Sequence, residues 1–297
     1  VIFLIINPYY EHGVWLKGNL HTHTDNSACG HYTVEKVIDM YTSYKMEYDF
    51  LAITDHYGLT YLDKYIDDNK IILFQGSEYK KRNYQTLGIN INNYCDDIEN
   101  YNNHQSLFEE VEKQGGINII CHPHVYEKGY WPLEMLLKLN NFTGIEIFNN
   151  NMKFDNKGNA VATDLWDELL SKGKRVFGFA NDDMHVFQRC GGAFNMVMAK
   201  ERSRDAILQA LKEGSFYAST GIFLNSIEVE EDTISIDIKH NKIPVTFRFI
   251  GQDGQVLKDE IGSSSSYTCI GKEGYVRIEM KREDGAMAWS QPFWITT

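Results

Sequence analysis

Through the first two thirds of the chain, short apolar runs alternate with stretches whose apolar residues recur at helical spacing. Phe50-Leu51-Ala52-Ile53, Ile71-Ile72-Leu73-Phe74, Ile117-Asn118-Ile119-Ile120, Gly144-Ile145-Glu146-Ile147 and Val176-Phe177-Gly178-Phe179-Ala180 read as buried strands. The opening Val1-Ile2-Phe3-Leu4-Ile5-Ile6 reads as a buried or edge strand. Helices are expected over 33–46, 104–114, 132–139, 160–172 and 203–213. In the first of these, Val34, Val37, Ile38 and Tyr41 share one face, although Thr33 with Lys36 is no capping box. Gly115-Gly116 and Gly173 stand where helices should stop, each just ahead of a strand. Strand-helix alternation from residue 15 to about 222 predicts an α/β fold, a parallel sheet or barrel.

The period then shortens to two. Segments 224–230, 233–239, 244–250, 266–270, 274–281 and 291–296 alternate apolar and polar residues, with turns at Gln252-Asp253-Gly254 and Asp284-Gly285. An antiparallel, sandwich-like β unit is expected there, packed on the first. Two domains follow, 1–222 and 223–297. Ser263 to Ser266, the one low-complexity patch, reads as a surface loop.

Composition narrows the partners. The 297 residues are 43% hydrophobic and 13% aromatic, enough for a sizeable core and against disorder. A formal charge of −12 argues against nucleic acid, which requires basic stripes, but not against a small phosphorylated substrate held through bound cations. No apolar run approaches the roughly 18 residues a membrane helix needs. The first residues are too short and lack the basic flank of a secretion signal; the missing initiator Met leaves a trimmed leader open. Five scattered cysteines without CxxC pairs fit a reducing cytoplasm.

Six of the ten histidines fall in four clusters at strand ends: His21-Thr22-His23, Asp55-His56, His122-Pro123-His124 and Asp182-Asp183-Met184-His185. Glu78 closes its strand in the same way, and Glu146 lies inside another. Carboxyl ends of strands converge on one face of an α/β fold, and residues two apart in an extended strand point the same way. Any one cluster is as readily a surface loop or a turn. All of them together, each at a strand end, point to a metal centre, where an Asp or Glu can bridge two cations. His12, His104 and His240 lack this context and read as surface residues.

Trp15 to Thr24, Leu51-Ala52-Ile53-Thr54-Asp55-His56, Gln75-Gly76-Ser77-Glu78, Ile120 to His124 and Asn181 to His185 together resemble, in order, the motifs of the polymerase and histidinol phosphatase (PHP) superfamily. The tail, with Tyr217 to Gly221 and Ala288 to Pro292, resembles a branch with a C-terminal β domain that includes carbamate-ester hydrolases. The resemblance implies a distorted (β/α)7 barrel followed by the antiparallel unit. It also implies two or three divalent ions (zinc, manganese or iron). His21, His23, Glu78 and Asp183 would hold the first, Glu78 and His122 the second, and His56 and His185 the third, with Glu78, Asp183 and His185 also catalytic. This chain departs from the pattern twice. Asn83 stands where many relatives have a His, and Ala28 and Cys29 stand where they have an Asp or His, a place that Cys29 or His31 would have to fill, His31 being preferred because imidazole serves zinc, iron and manganese alike.

The expected activity is hydrolysis of a small phosphate ester by a metal-bound hydroxide, with Lys80, Lys81, Arg82 and Arg189 as candidate charge clamps or plain solvated surface. Carboxylic or carbamic ester or amide hydrolysis needs the same residues. A decayed structural or regulatory module is the reading from another class.

Overall fold

The computed structural model describes residues 2–81, 83–95, 104–154, 158–239 and 243–296. Arg82, His240 and the side chain of Lys81 lie outside what it describes. The chain enters through β1 (Leu4–Ile6) and β2 (Val14–Asn19), then α1 (Val34–Thr42), β3 (Phe50–Ile53), β4 (Ile72–Lys81) and β5 (Tyr84–Ile89). Next come α2 (His104–Lys113), β6 (Ile117–Ile120), α3 (Leu133–Lys138), β7 (Gly144–Asn149), α4 (Asn150–Phe154), α5 (Thr163–Ser171) and β8 (Phe177–Asn181). After β9 (Phe194–Ala199), α6 (Arg204–Glu213) and β10 (Phe216–Ser219) the α-helices end among the described residues. The remainder is β11 (Leu224–Glu230), β12 (Thr233–Ile238), β13 (Val245–Ile250), β14 (Val256–Gly262), β15 (Ser264–Thr268), β16 (Tyr275–Arg282), β17 (Met287–Ser290) and β18 (Phe293–Thr296).

The fold is mixed α/β around one large sheet. β2, β3 and β4 pair in parallel, as do β6, β7 and β8. Between these triplets β5 runs antiparallel to both neighbours. Only two residues separate β4 from β5 in the chain, too few for the crossover that parallel strands need. On its other edge β2 pairs antiparallel with β9, β9 with β10, and β10 with β17, which leads on through β16 and β18 to β1. β13 and β14 branch from β16, and β11, β12 and β15 form a separate three-stranded sheet.

No backbone ladder joins β8 to β9 among the described residues, but amide side chains do. Asn195 accepts from Ala180 N at 3.1 Å and donates to Ala180 O at 3.0 Å; Gln291 makes the same paired contact with Gly178. An apolar cluster that includes Leu20, Phe50, Phe74, Ile119, Phe179 and Phe216 packs among these strands.

Two local expectations are corrected. Ser263 to Ser266 is no free loop: from Ser264 the chain forms β15, paired to β12, with Ser265 buried and its hydroxyl on Glu260. Small polar side chains suit this narrow strand, which apolar periodicity alone does not reveal. His104 is buried, its ring 5.0 Å from that of Trp131. A single His carries little hydropathy signal, and the aromatic neighbours that enclose it come from distant elements.

Candidate metal centre

The exits of the parallel strands meet above the apolar core. Beyond β2, Thr22 bridges Met184, and His23 N–H donates to Met184 O at 3.0 Å, which sets the exits of β2 and β8 side by side. Thr54 N–H donates to Thr22 O at 2.9 Å, and His56 bridges Glu78, which brings in the exits of β3 and β4. β6 delivers His122, and β7 delivers Glu146 from its interior.

Glu78 is the hub. Its Oε2 faces Nε2 of His21 and His23 at 3.1 Å each and of His56 at 3.3 Å, while Oε1 faces His122 Nε2 at 3.1 Å. Asp183 Oδ1 lies 3.3 Å from both His21 and His23 and 3.5 Å from His185 Nδ1. The rings of His56 and His185 stack on His23 from centroid distances of 4.6 and 4.4 Å. His21, His23, Glu78, His122 and Asp183 are buried; His56 and His185 are partly exposed.

Supporting groups fix these ligand candidates. Glu146 accepts from His21 Nδ1 at 2.7 Å, from His122 N–H at 2.8 Å and from the Asn149 and Asn181 amides. Asn149 and Asn151 donate to Asp183 Oδ2 at 3.3 and 3.2 Å. His122 and Asp183 have φ of +23° and +50°, in the left-handed region that non-glycine residues avoid. Asp183 and His185 therefore do not share an extended strand, as the sequence pattern suggested; a left-handed turn aims them. Strain of this kind persists where the surroundings over-determine it, and it concentrates at functional sites.

The charges are strongly coupled. Burial pulls His21 down, but Asp183, Glu146 and Glu78 outweigh it and hold the ring well above its ordinary pKa. His23, pulled down by burial, is pushed up to about 9 by Asp183 and Glu78. Burial raises Glu78, yet the imidazoles around it hold it well below the carboxylate range. His56 and His185 are lowered, chiefly by burial.

These residues fit a divalent cation. His21 Nδ1–H donates to Glu146, so Nε2 is the atom left to face Glu78 Oε2, and the carboxylates that favour positive charge on the ring would equally favour a cation in place of the Nε2 proton. His23 Nε2, His122 Nδ1 and Asp183 Oδ1 are buried without a hydrogen-bond partner, which is costly in a metal-free fold. Donor atoms of His21, His23, Glu78 and Asp183 lie mutually within 4.8 Å. The same holds for Glu78, Cys121 and His122, for His21, Cys121 and Glu146, and for His23, Cys29, His56 and His185.

All seven residues expected to bind metal are thus brought together. Other expectations fall elsewhere. His31, Ala28 and Asn83 are exposed, and His124 points away to Asp164, 2.8 Å from its carboxylate. Lys80 is exposed, and the Arg189 guanidinium sits over the Phe154 ring at 5.8 Å. His12 is exposed, as expected. Sequence reasoning passed over Cys121 and the supporting asparagines. It noted Glu146, a lone charge in an apolar strand, without giving it a role. A cavity of about 470 Å³ opens beside His56, lined by Asp55, Tyr57, Thr60, Tyr61, Lys64 and Tyr65 among others. That volume lies in the range of small-molecule sites.

No family model and no curated protein matches the chain. Among solved structures it is similar to a two-domain protein containing a predicted PHP-like metal-dependent phosphoesterase from Bacteroides vulgatus ATCC 8482. The two are 16% identical with a TM-score of 0.55, over 97% of this chain and 98% of that one. It is also similar to PsfC from Pseudomonas syringae PB-5123, at 13% identity and a TM-score of 0.44, over 66% of this chain and 87% of that one. The first likeness supports the PHP resemblance of the motifs at the level of the fold.

Proposed function

We propose that this protein is a metal-dependent hydrolase of small esters, phosphate monoesters first among them. One observation carries the reading: three ring nitrogens converge on a single buried oxygen of Glu78, beside an unpartnered Asp183 oxygen. His21, His23, Glu78 and Asp183 would hold one cation, Glu78 and His122 a second, and His56 and His185 a third, with zinc, manganese or iron suited to the mixture. Such ions, when bound, acidify water and neutralise charge on a leaving oxygen.

The chain's own residues do the positioning. Glu146 fixes the His21 tautomer, and Asn149 and Asn151 orient Asp183. His185 Nδ1–H donates to Asp183 O at 2.8 Å, which leaves Nε2 free to bind. Tyr57, Tyr61 and Lys64 would receive the ester in the cavity beside His56. The description of the Bacteroides protein supports the phosphate reading. The cavity favours a second one. Lys64 is its only lysine or arginine among the described lining residues, fewer cations than a phosphate pocket commonly gathers, which suits a carboxylic or carbamic ester.

We read the sheet as the distorted (β/α)7 barrel, closed between β8 and β9 through Asn195, and the region after 222 as its antiparallel companion. Five free cysteines support a cytoplasmic setting, and no helix among the described residues is long and apolar enough to cross a membrane. Parallel assays on nitrophenyl phosphate and nitrophenyl acetate, with the protein stripped and reloaded with zinc, manganese or iron, test the proposal. Metal-dependent turnover of the phosphate is expected. Turnover of the acetate alone transfers the reading to carbon esters, and no metal-dependent turnover of either overturns it.

A further inference from the structure

We propose that Cys29 is a thiolate ligand of a third cation site completed by His56 and His185, so that this site prefers zinc to harder ions. The inference rests on the metal-centre reading above and adds a donor to it. Donor atoms of Cys29, His56, His185 and His23 lie mutually within 4.8 Å, and ligands of one tetrahedral cation stand roughly 3–4 Å apart. His56, a member of this group, has a buried Nδ1 without a hydrogen-bond partner.

The loop that carries the thiol is built to place it. Asp55 accepts from Thr24 N–H at 2.7 Å, Thr24 Oγ1 at 2.6 Å and Ser27 Oγ at 2.7 Å. Ser27 in turn accepts from His56 N–H, so the loop and His56 are one assembly. A Cβ at Gly30 would meet Thr24 O at 1.9 Å, and this tight turn sends His31 outward to solvent while Cys29 stays half-buried over the rings. The sequence favours His31; the geometry selects Cys29 instead, because His31 is exposed and lies outside the donor group.

Two imidazoles and a thiolate form a soft donor set that suits zinc better than manganese. Binding replaces the thiol proton by the metal, and that proton passes to the buffer.

The test titrates the stripped 297-residue chain with cobalt(II) and follows thiolate-to-cobalt charge-transfer absorption in the near ultraviolet. The band is expected in the wild type, in His31→Ala and in Cys121→Ser, the control for the other thiol near the centre. Cys29→Ser should lack it and bind one equivalent less. Alkylation of Cys29 by iodoacetamide in the wild type should slow when zinc is added, a readout that needs no variant to fold. Cobalt bound without the band, loss of the band in Cys121→Ser instead, or zinc-independent alkylation overturns the assignment of Cys29 alone. No cobalt bound at all overturns the metal-centre reading with it.

Discussion

At the scale of single residues, the ligand candidates were legible because metal chemistry admits few residue types and strand ends place them. Their supports were not, since an asparagine that orients a carboxylate looks like any other polar residue until the fold closes. Glu146 stands between these cases, and it is directly testable. Glu146→Gln keeps the shape but weakens its hold on His21 Nδ1, and a metal affinity roughly 10–100-fold lower is expected by isothermal titration. An unchanged affinity would make Glu146 a mere core carboxylate. Glu78→Gln removes the charge shared by four imidazoles, and turnover should fall by roughly a hundredfold or more. A loss below threefold would remove Glu78 from the centre. Protons compete with the cation as well. His23, at about 9 in the metal-free fold, must release its proton to bind, so apparent affinity should climb with pH up to that value. The sign reverses for the stripped protein. A raised imidazole pKa contributes stability below about 6.5, the ordinary value, and that contribution fades as pH rises through about 9. Denaturation midpoints across this window should fall with pH for the stripped chain and vary less for the loaded one.

At the scale of elements, apolar runs and helical periods gave most of the α/β half, including the stops at Gly115 and Gly173, both at positive φ. They did not give β5, whose Tyr-Gln-Thr-Leu-Gly-Ile sequence is only half apolar, nor its antiparallel course. β14 also escaped, because Val256 to Gly262 is an exposed edge with charges at Lys258, Asp259 and Glu260. What joins helix to strand was likewise invisible. Asp167 on α5 accepts from Arg277 Nε at 2.7 Å, Arg277 Nη2 at 2.6 Å and the Tyr275 hydroxyl at 2.9 Å, tying α5 to β16. Arg277 is buried, so Asp167→Ala would leave its charge without its main partner. A loss of about 3–5 kcal/mol is expected in urea denaturation, while Asp167→Glu should recover part of it. An effect under about 1 kcal/mol would show that water or Glu279, 3.8 Å away, replaces the pair.

At the scale of the whole molecule, the change of period near residue 223 marks a change of architecture, and the packing runs straight across it. One apolar cluster holds Val37, Leu51 and Leu73 together with Phe247, Ile278 and Phe293, and another holds Trp166 and Leu169 with Tyr275 and Trp289. β10 and β17 share a ladder, Tyr217 against Ser290 and Ser219 against Ala288, and the Gln291 side-chain amide pairs with the Gly178 backbone while its backbone N–H donates to the Tyr9 hydroxyl. β1, from the start of the chain, pairs with β18 near its end. Separating the two parts would expose these apolar faces and strand buried polar groups, each a cost of the order of whole-domain stability. Calorimetry of the stripped 297-residue chain should therefore give a single unfolding transition, with the calorimetric enthalpy matching the van't Hoff value. Gln291→Ala should lower that one transition without splitting it, because the side-chain amide ties the second part to Gly178 of the first. Two resolved peaks in the wild type would show that the part after residue 222 stands on its own core, and that the shared clusters contribute little.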